Sequence, residues 1–154
     1  MSETRDLEPV ECLRLLRSGV VGRVALSTPE GPHIVPVNYA IFEDTIVVRT
    51  STYSLLGTYG RNAMLAFEVD DVDHDRHVGW SVVARGRAWA ELDTEAIAAM
   101  RSAWRPHPWA GGVRNLYLRM RWETLTGRAI GSGASSRTHS SGLTSTLNAT
   151  LSAS

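Results

Sequence analysis

Arg49-Thr50-Ser51-Thr52-Tyr53-Ser54 sets a guanidinium ahead of a run of hydroxyls where a β-branched stretch ends. A cationic fork followed by hydroxyl and backbone donors at a strand end is the chemistry that binds a phosphate. Arg49, Thr50, Ser51 and Ser54 are therefore the anion candidates. A second candidate is Trp80-Ser81, an indole beside a hydroxyl at the start of a strand and close to an acidic stretch. That pairing suits the wall of a site for a planar aromatic ligand. A tryptophan at a barrel rim or an interface has the same signature, and residue type leaves both readings open.

Other constellations fail on spacing. Gly79-Trp80-Ser81-Val82-Val83 begins like a nucleophile elbow, but the closing glycine is missing and a strand pattern continues through it. Gly131-Ser132-Gly133-Ala134-Ser135-Ser136 departs from the dinucleotide pattern at its last position and precedes no apolar helix. Asp71-x-Asp73-x-Asp75 opens like a calcium loop, yet its sixth position is Arg76 and its twelfth is Val82. His74 and His77 share that stretch, which reads as a solvated acidic loop rather than a metal site. Each of the 16 basic residues is an arginine. Without lysine, neither a phosphate-binding loop of the nucleoside triphosphatase type nor a pyridoxal phosphate Schiff base can be built. Cys12 is the single cysteine, so there is no disulfide framework and no thiolate metal cage. Sixteen acidic residues balance the arginines to a net charge of zero, which argues against a nucleic-acid partner.

The elements that must position these residues follow from periodicity. Glu8-Pro9 opens a short helix that Gly19 ends, with Val10, Cys12, Leu13, Leu15 and Leu16 on its apolar side. A strand meander follows: 22–27, a turn at Thr28-Pro29-Glu30-Gly31-Pro32, 33–41, a turn at Glu43-Asp44, and 45–50. Within 33–41, Val35, Val37, Tyr39 and Ile41 share one face, and Ile34, Pro36, Asn38 and Ala40 the other. Pro36 forbids one ladder hydrogen bond, which places this strand at an edge or a barrel opening. The segment 51–62 has room for a helical turn or two. Strands at 63–69 and 78–91 flank an acidic loop at 70–75, and Asp93-Thr94-Glu95 caps a helix through Ala103. After a loop at 104–109 a last strand alternates Leu116, Leu118, Met120 and Trp122 with Tyr117, Arg119, Arg121 and Glu123. About six strands and two helices, without strand–helix alternation, predict a small antiparallel barrel. Residues 1–130 form that domain. Residues 131–154, with eight serines, four threonines and no acidic or aromatic residue, read as a disordered tail. No apolar stretch is long enough to span a membrane, and Met1 to Glu11 lacks the apolar core of a signal peptide. The expectation is a cytoplasmic protein that engages neither membrane nor nucleic acid.

Four stretches in order resemble the pyridoxamine 5′-phosphate oxidase-like, FMN-binding split-barrel family, nearest its small bacterial, nitroimidazole-resistance-like branch. They are Glu11-Cys12-Leu13-x-Leu15-Leu16 with Gly22-Arg23-Val24-Ala25; Gly31 to Tyr39; Ala66-Phe67-Glu68-Val69-Asp70 with Gly79 to Val83 and Gly86-Arg87-Ala88; and Thr126-Gly127-Arg128. The resemblance implies a mainly β fold with peripheral helices, a six-stranded antiparallel split β-barrel, forming a homodimer with flavin sites at the subunit interface. It implies a flavin ring along Val35, Pro36, Val37 and Asn38, and its phosphate at Arg49, Thr50, Ser51 and Ser54. Trp80 and Ser81 would approach from the partner subunit. The family usually carries a lysine or arginine beside the phosphate where this chain has Tyr53-Ser54-Leu55, and Arg61 is the nearest substitute. The implied activity is an FMN-dependent oxidoreductase reducing a small acceptor such as a quinone or nitro compound. The alternatives are FAD, a deazaflavin or haem as the ligand, and a binding module without turnover.

Overall fold

The computed structural model describes residues 3–103 and 115–131. Its elements run β1 (Thr4–Asp6), α1 (Pro9–Ser18), β2 (Val21–Thr28), β3 (Gly31–Phe42), β4 (Thr45–Thr50), α2 (Leu55–Tyr59), β5 (Met64–Asp73), β6 (Val78–Ala90), α3 (Thr94–Ala103) and β7 (Leu116–Ile130). All strand pairs are antiparallel, in the order β1-β7-β4-β3-β2-β5-β6, and a further β6–β7 pairing closes the ring. Six strands thus form the barrel, as the residues suggested, with β1 added outside on β7.

α1 starts where a capping box forms: Glu8 and Glu11 each accept from the other's backbone N–H, and Pro9 needs no N–H at that position. It buries Cys12, Leu15 and Leu16 in one end of the barrel, but leaves Val10 exposed. α2 inserts Leu56 into the same core. Inside, Phe67 meets Tyr39 edge-on at 4.6 Å, and Tyr39 Oη donates to the Leu16 carbonyl at 2.6 Å. Gly22 is required there, because a Cβ would run into the Phe67 ring and the Glu68 carbonyl.

Two sequence expectations change. The acidic stretch is not a loop through residue 75: β5 continues to Asp73, pairing Asp70 to Asp73 with Ser81 to Val78, and the turn occupies 74–77. Acidic side chains do not stop a strand that has a partner on one side and water on its faces, and Asp70 adds an ion pair with Arg23 at 2.7 Å. The polar N-terminus contributes β1, whose three exposed residues carry no periodic signal. Both faces of β7 are covered at its start: Leu116 to Met120 are all buried, because α3 lies over Tyr117 and Arg119. The described residues hold seven strands and three helices, one more of each than expected. The predicted loop at 104–109 and the tail beyond Gly131 lie outside the described residues.

Candidate functional site

The β3–β4 ladder begins at the turn (Phe42 opposite Thr45) and stops at Tyr39 opposite Val48. The next positions, Asn38 and Arg49, are where the two strands part. From there back to Gly31, β3 pairs with β2 alone. This is the opening that Pro36 signalled.

Strand geometry fixes what the opening offers. The Tyr39 N–H donates to Val20 C=O at 3.0 Å, so odd-numbered residues of β3 direct their backbone groups at β2. Even-numbered residues direct theirs into the opening. Of the four residues expected along a ring, Val35 and Val37 therefore spend their backbone on β2 and turn their side chains to the core. Pro36 supplies a carbonyl only. Asn38 supplies its N–H and a half-buried side-chain amide. Ile34, which sequence reasoning passed over, has N–H and carbonyl free of β2 and a side chain 71 % exposed. Along the edge the outward N–H positions alternate proline and non-proline: Pro32, Ile34, Pro36, Asn38. Asn38 and Ala40 also floor a cleft of about 790 Å³ walled by Arg17, Ser18, Gly19 and Glu43.

The anion candidates sit at the far lip of the opening. Arg49 projects from the outer face of β4, and its guanidinium carbon stands 5.2 Å from the centroid of Tyr117 on β7. The Tyr117 side chain is buried beneath α3, and its hydroxyl has no hydrogen-bond partner among the described residues. Thr50, Ser51 and Ser54 form a closed knot. Ser54 Oγ donates to Ser51 C=O at 2.8 Å and accepts from Gly57 N–H at 2.9 Å, so Thr50 Oγ1, 2.7 Å away, is its second donor. Ser51 Oγ accepts from Tyr53 N–H at 3.2 Å. These hydroxyls build the start of α2; of the candidates here, Arg49 is the one that carries charge. Arg61 donates from Nε to Gly57 C=O at 2.6 Å, tying down α2, and Leu55 is 41 % exposed.

Trp80 and Ser81 lie elsewhere. In register, Ser81 pairs with Asp70 on β5, and β2 and β3 follow, which puts it three strands from Asn38, or ~14 Å along the sheet at ~4.8 Å per strand. Trp80 packs its indole against the barrel core, and Ser81 faces outward beside Arg128 in a second cleft of about 510 Å³ that also includes Asp6 and Thr126. One copy of the chain thus brings the β3 edge and Arg49 together and leaves Trp80-Ser81 apart. Histidines 33, 74 and 77 are scattered among the β2–β3 end and the β5–β6 turn, and no group of three potential metal ligands exists among the described residues. No described helix is long and apolar enough to cross a membrane.

Sequence reasoning also missed Arg119. It is buried between the rings of Phe42 and Trp89, at 5.2 and 5.3 Å, and pairs with Glu91 at 2.8 Å and Glu43 at 3.3 Å, while Nε donates to Thr45 Oγ1. Burial pushes the Glu91 carboxyl up, but the Arg119 guanidinium and the Asp93 and Leu92 N–H groups outweigh it and hold the carboxyl below its usual range.

Comparison with known proteins agrees with this architecture. An uncharacterised protein of Mycobacterium tuberculosis, Rv0080, is 32 % identical over 133 residues, covering 83 % of this chain and 86 % of that protein. The structure of an FAD-binding protein from Mycobacterium smegmatis superposes with a TM-score of 0.72 at 30 % identity, over 84 % of this chain and all of that one. An FAD-binding protein from Mesorhizobium loti shares the fold at 22 % identity and a TM-score of 0.65, over 86 % of this chain and 100 % of its own. The model of the pyridoxamine 5′-phosphate oxidase family matches residues 8–129, from the start of α1 through nearly all of β7, and the chain belongs to that family.

Proposed function

We propose that this protein is a flavin-dependent oxidoreductase that holds FMN in the opening between β3 and β4 and reduces a small organic acceptor such as a quinone or nitro compound. The observation that carries the reading is the half-open β3 edge. Its Pro36 carbonyl and Asn38 N–H form an acceptor and a donor side by side, complementary to the N–H and carbonyl edge of a flavin's pyrimidine ring. Both groups are held by a strand already locked to β2, so binding costs little ordering. Arg49 at the opposite lip would take the phosphate. The FAD-binding relative from Mycobacterium smegmatis supports a flavin in this fold, and the choice of FMN follows the resemblance of the chain to FMN-binding split barrels.

Bound FMN supplies the hydride chemistry, and the chain's residues bind and orient it. Asn38 and Pro36 fix the ring edge, the Thr50–Ser54–Gly57 knot fixes the backbone that presents Arg49, and the cleft over Asn38 and Ala40 admits the acceptor. A second copy would bring Ser81 and its cleft to the ring, since one copy cannot. The exposed Val21, Ile34 and Met64 on the uncovered outer face suit a homodimer. A cytoplasmic location fits a pool of reduced nicotinamide donors.

The second reading, a module that binds FMN, FAD, a deazaflavin or haem without turnover, draws on Leu55, an apolar residue where relatives in the resemblance carry a cation. Electron transfer from the photoreduced protein to a quinone separates the two. The site itself is tested by Asn38→Pro. Like Pro32 and Pro36, a proline at 38 loses an N–H that β2 does not use, so the fold survives. FMN affinity should fall roughly tenfold with the loss of one hydrogen bond and added bulk at the edge. FMN binding as tight as in the unaltered protein would exclude this edge as the ring site.

A further inference from the structure

The cleft that shares Asn38 with the β3 opening is lined on one wall by Arg17, in the last turn of α1, and on another by Glu43, in the β3–β4 turn. Its carboxylate is already engaged, since Arg119 meets Glu43 at 3.3 Å. Its cation is not: Arg17 is exposed and makes no ion pair or side-chain hydrogen bond among the described residues. The second cleft differs, because its Arg128 pairs with Asp6 at 3.4 Å. Arg119 also serves Glu91, at 2.8 Å, so the Glu43 wall keeps a negative excess and the two walls carry opposite signs. An anionic group entering the cleft is drawn to Arg17 and held off Glu43. Uncharged donors border the same space. The half-buried side-chain amide of Asn38 has no hydrogen-bond partner among the described residues. Ile41 turns its N–H toward the side of β2, as Tyr39 does, but β2 begins opposite Asn38, so no strand residue pairs with Ile41 there. A guanidinium fork, an amide and a backbone N–H around one space of about 790 Å³ are the donor set of a carboxylate site.

We propose that Arg17 is a specificity-determining residue that selects acceptors bearing a carboxylate, so that the substrate class is a small nitro- or quinone-type acid rather than its neutral counterpart. This rests on the reading of the β3 opening as a flavin site. Asn38 joins the two places. Its N–H borders the opening and its side chain the cleft, so an acceptor held by its carboxylate at Arg17 lies next to a ring seated at Asn38. The planar guanidinium suits this task, because it can meet both oxygens of a carboxylate at once. The other duty open to Arg17 is to balance the carbonyl end of α1, whose last turn it occupies. That duty requires neither the cleft nor an anion within it.

The test is calorimetric titration of the oxidised, FMN-loaded protein with 4-nitrobenzoate and with its methyl ester, which keeps the nitroarene and lacks the charge. The unaltered protein should bind the acid more tightly than the ester, and the margin should shrink as salt is raised. Arg17→Gln should lose affinity for the acid roughly tenfold, as for one charge-assisted hydrogen bond, with the affinities for the ester and for FMN unchanged. Arg17→Lys should recover part of the loss, since it restores the charge without the fork. An Arg17→Gln protein that melts lower but keeps the full preference for the acid overturns the inference and leaves Arg17 to the helix end. An unaltered FMN-loaded protein that binds acid and ester alike, or neither, overturns the inference while the flavin reading stands. Failure of the unaltered protein to bind FMN overturns the flavin reading itself, and this inference with it.

Discussion

Glu91→Gln keeps the shape of the side chain and removes the charge facing Arg119. The cost follows from what remains. Arg119 is 6 % exposed, its 2.8 Å partner Glu91 is largely buried, and its other carboxylate, Glu43, is 3.3 Å away on an exposed side chain. Removing one partner of a buried pair typically costs about 3–5 kcal/mol. Glu43 and the faces of Phe42 and Trp89 still compensate in part, so the low end, about 3 kcal/mol, applies. At about 2–4 °C per kcal/mol for a chain of this size, the melting temperature should drop ~6–12 °C. Arg119→Met should cost less, about 2 kcal/mol, because Glu91 keeps its two backbone donors and is nearer solvent. The double variant should recover at least ~1 kcal/mol relative to the sum of the two. Urea unfolding of all four proteins at unchanged slope supplies these numbers. The sign of the pH effect follows from the lowered carboxyl. Glu91 contributes above its unfolded pKa and loses that contribution as pH falls through its lower folded value. The unaltered protein should therefore weaken more steeply on acidification than Glu91→Gln. A Glu91→Gln cost below ~0.5 kcal/mol, or strict additivity in the double variant, would refute the claim that this buried cation depends on Glu91.

Other expectations follow from single contacts. Gly22→Ala sets a methyl against Phe67 Cε2 and the Glu68 carbonyl and should cost about 2–3 kcal/mol; unchanged thermal unfolding would show that β2 can shift to admit it. Tyr39→Phe leaves the Leu16 carbonyl without its donor and should cost about 1–2 kcal/mol in urea, and an unchanged midpoint would mean that water takes the place of the hydroxyl. Trp80 lies three strands from the β3 edge of its own copy, so flavin quenching of Trp80 emission should appear in dimer and vanish on dilution to monomer; quenching independent of protein concentration would place the ring beside Trp80 within one chain.

Much of the fold was legible because its signals are local. Pro9 and Gly19 bracket α1, Pro-Glu-Gly and Glu-Asp mark the β2–β3 and β3–β4 turns, and alternation in 33–41 identifies Val37 and Tyr39 as core. What was hidden depends on neighbours. Alternation says that Arg119 and Tyr117 share a face of β7, but only the arrival of α3 turns that face from solvent into a second core. Nothing in Asp70-Asp71-Val72-Asp73 reads as strand until β6 lies beside it. The site divides in the same way. Arg49 and Pro36 were found by residue type, whereas Ile34 became a candidate through a missing partner strand, which no single segment can show.

The missing partner on β3 also explains how stability and binding are kept separate in this barrel. Val35 and Val37 face the core and close their backbone bonds with β2, so the odd positions hold the strand whether or not anything fills the opening. The even positions contribute little to that hold and are free to vary for a ligand. An open strand edge is normally a hazard, since it templates pairing with another chain. Here prolines at 32 and 36 delete two of the four outward N–H groups, so a foreign strand would find every second donor absent, while a small ring needs only the Pro36 carbonyl and the Asn38 N–H. Pro36 thus protects the edge from a strand and leaves it open to a ligand no longer than two residues.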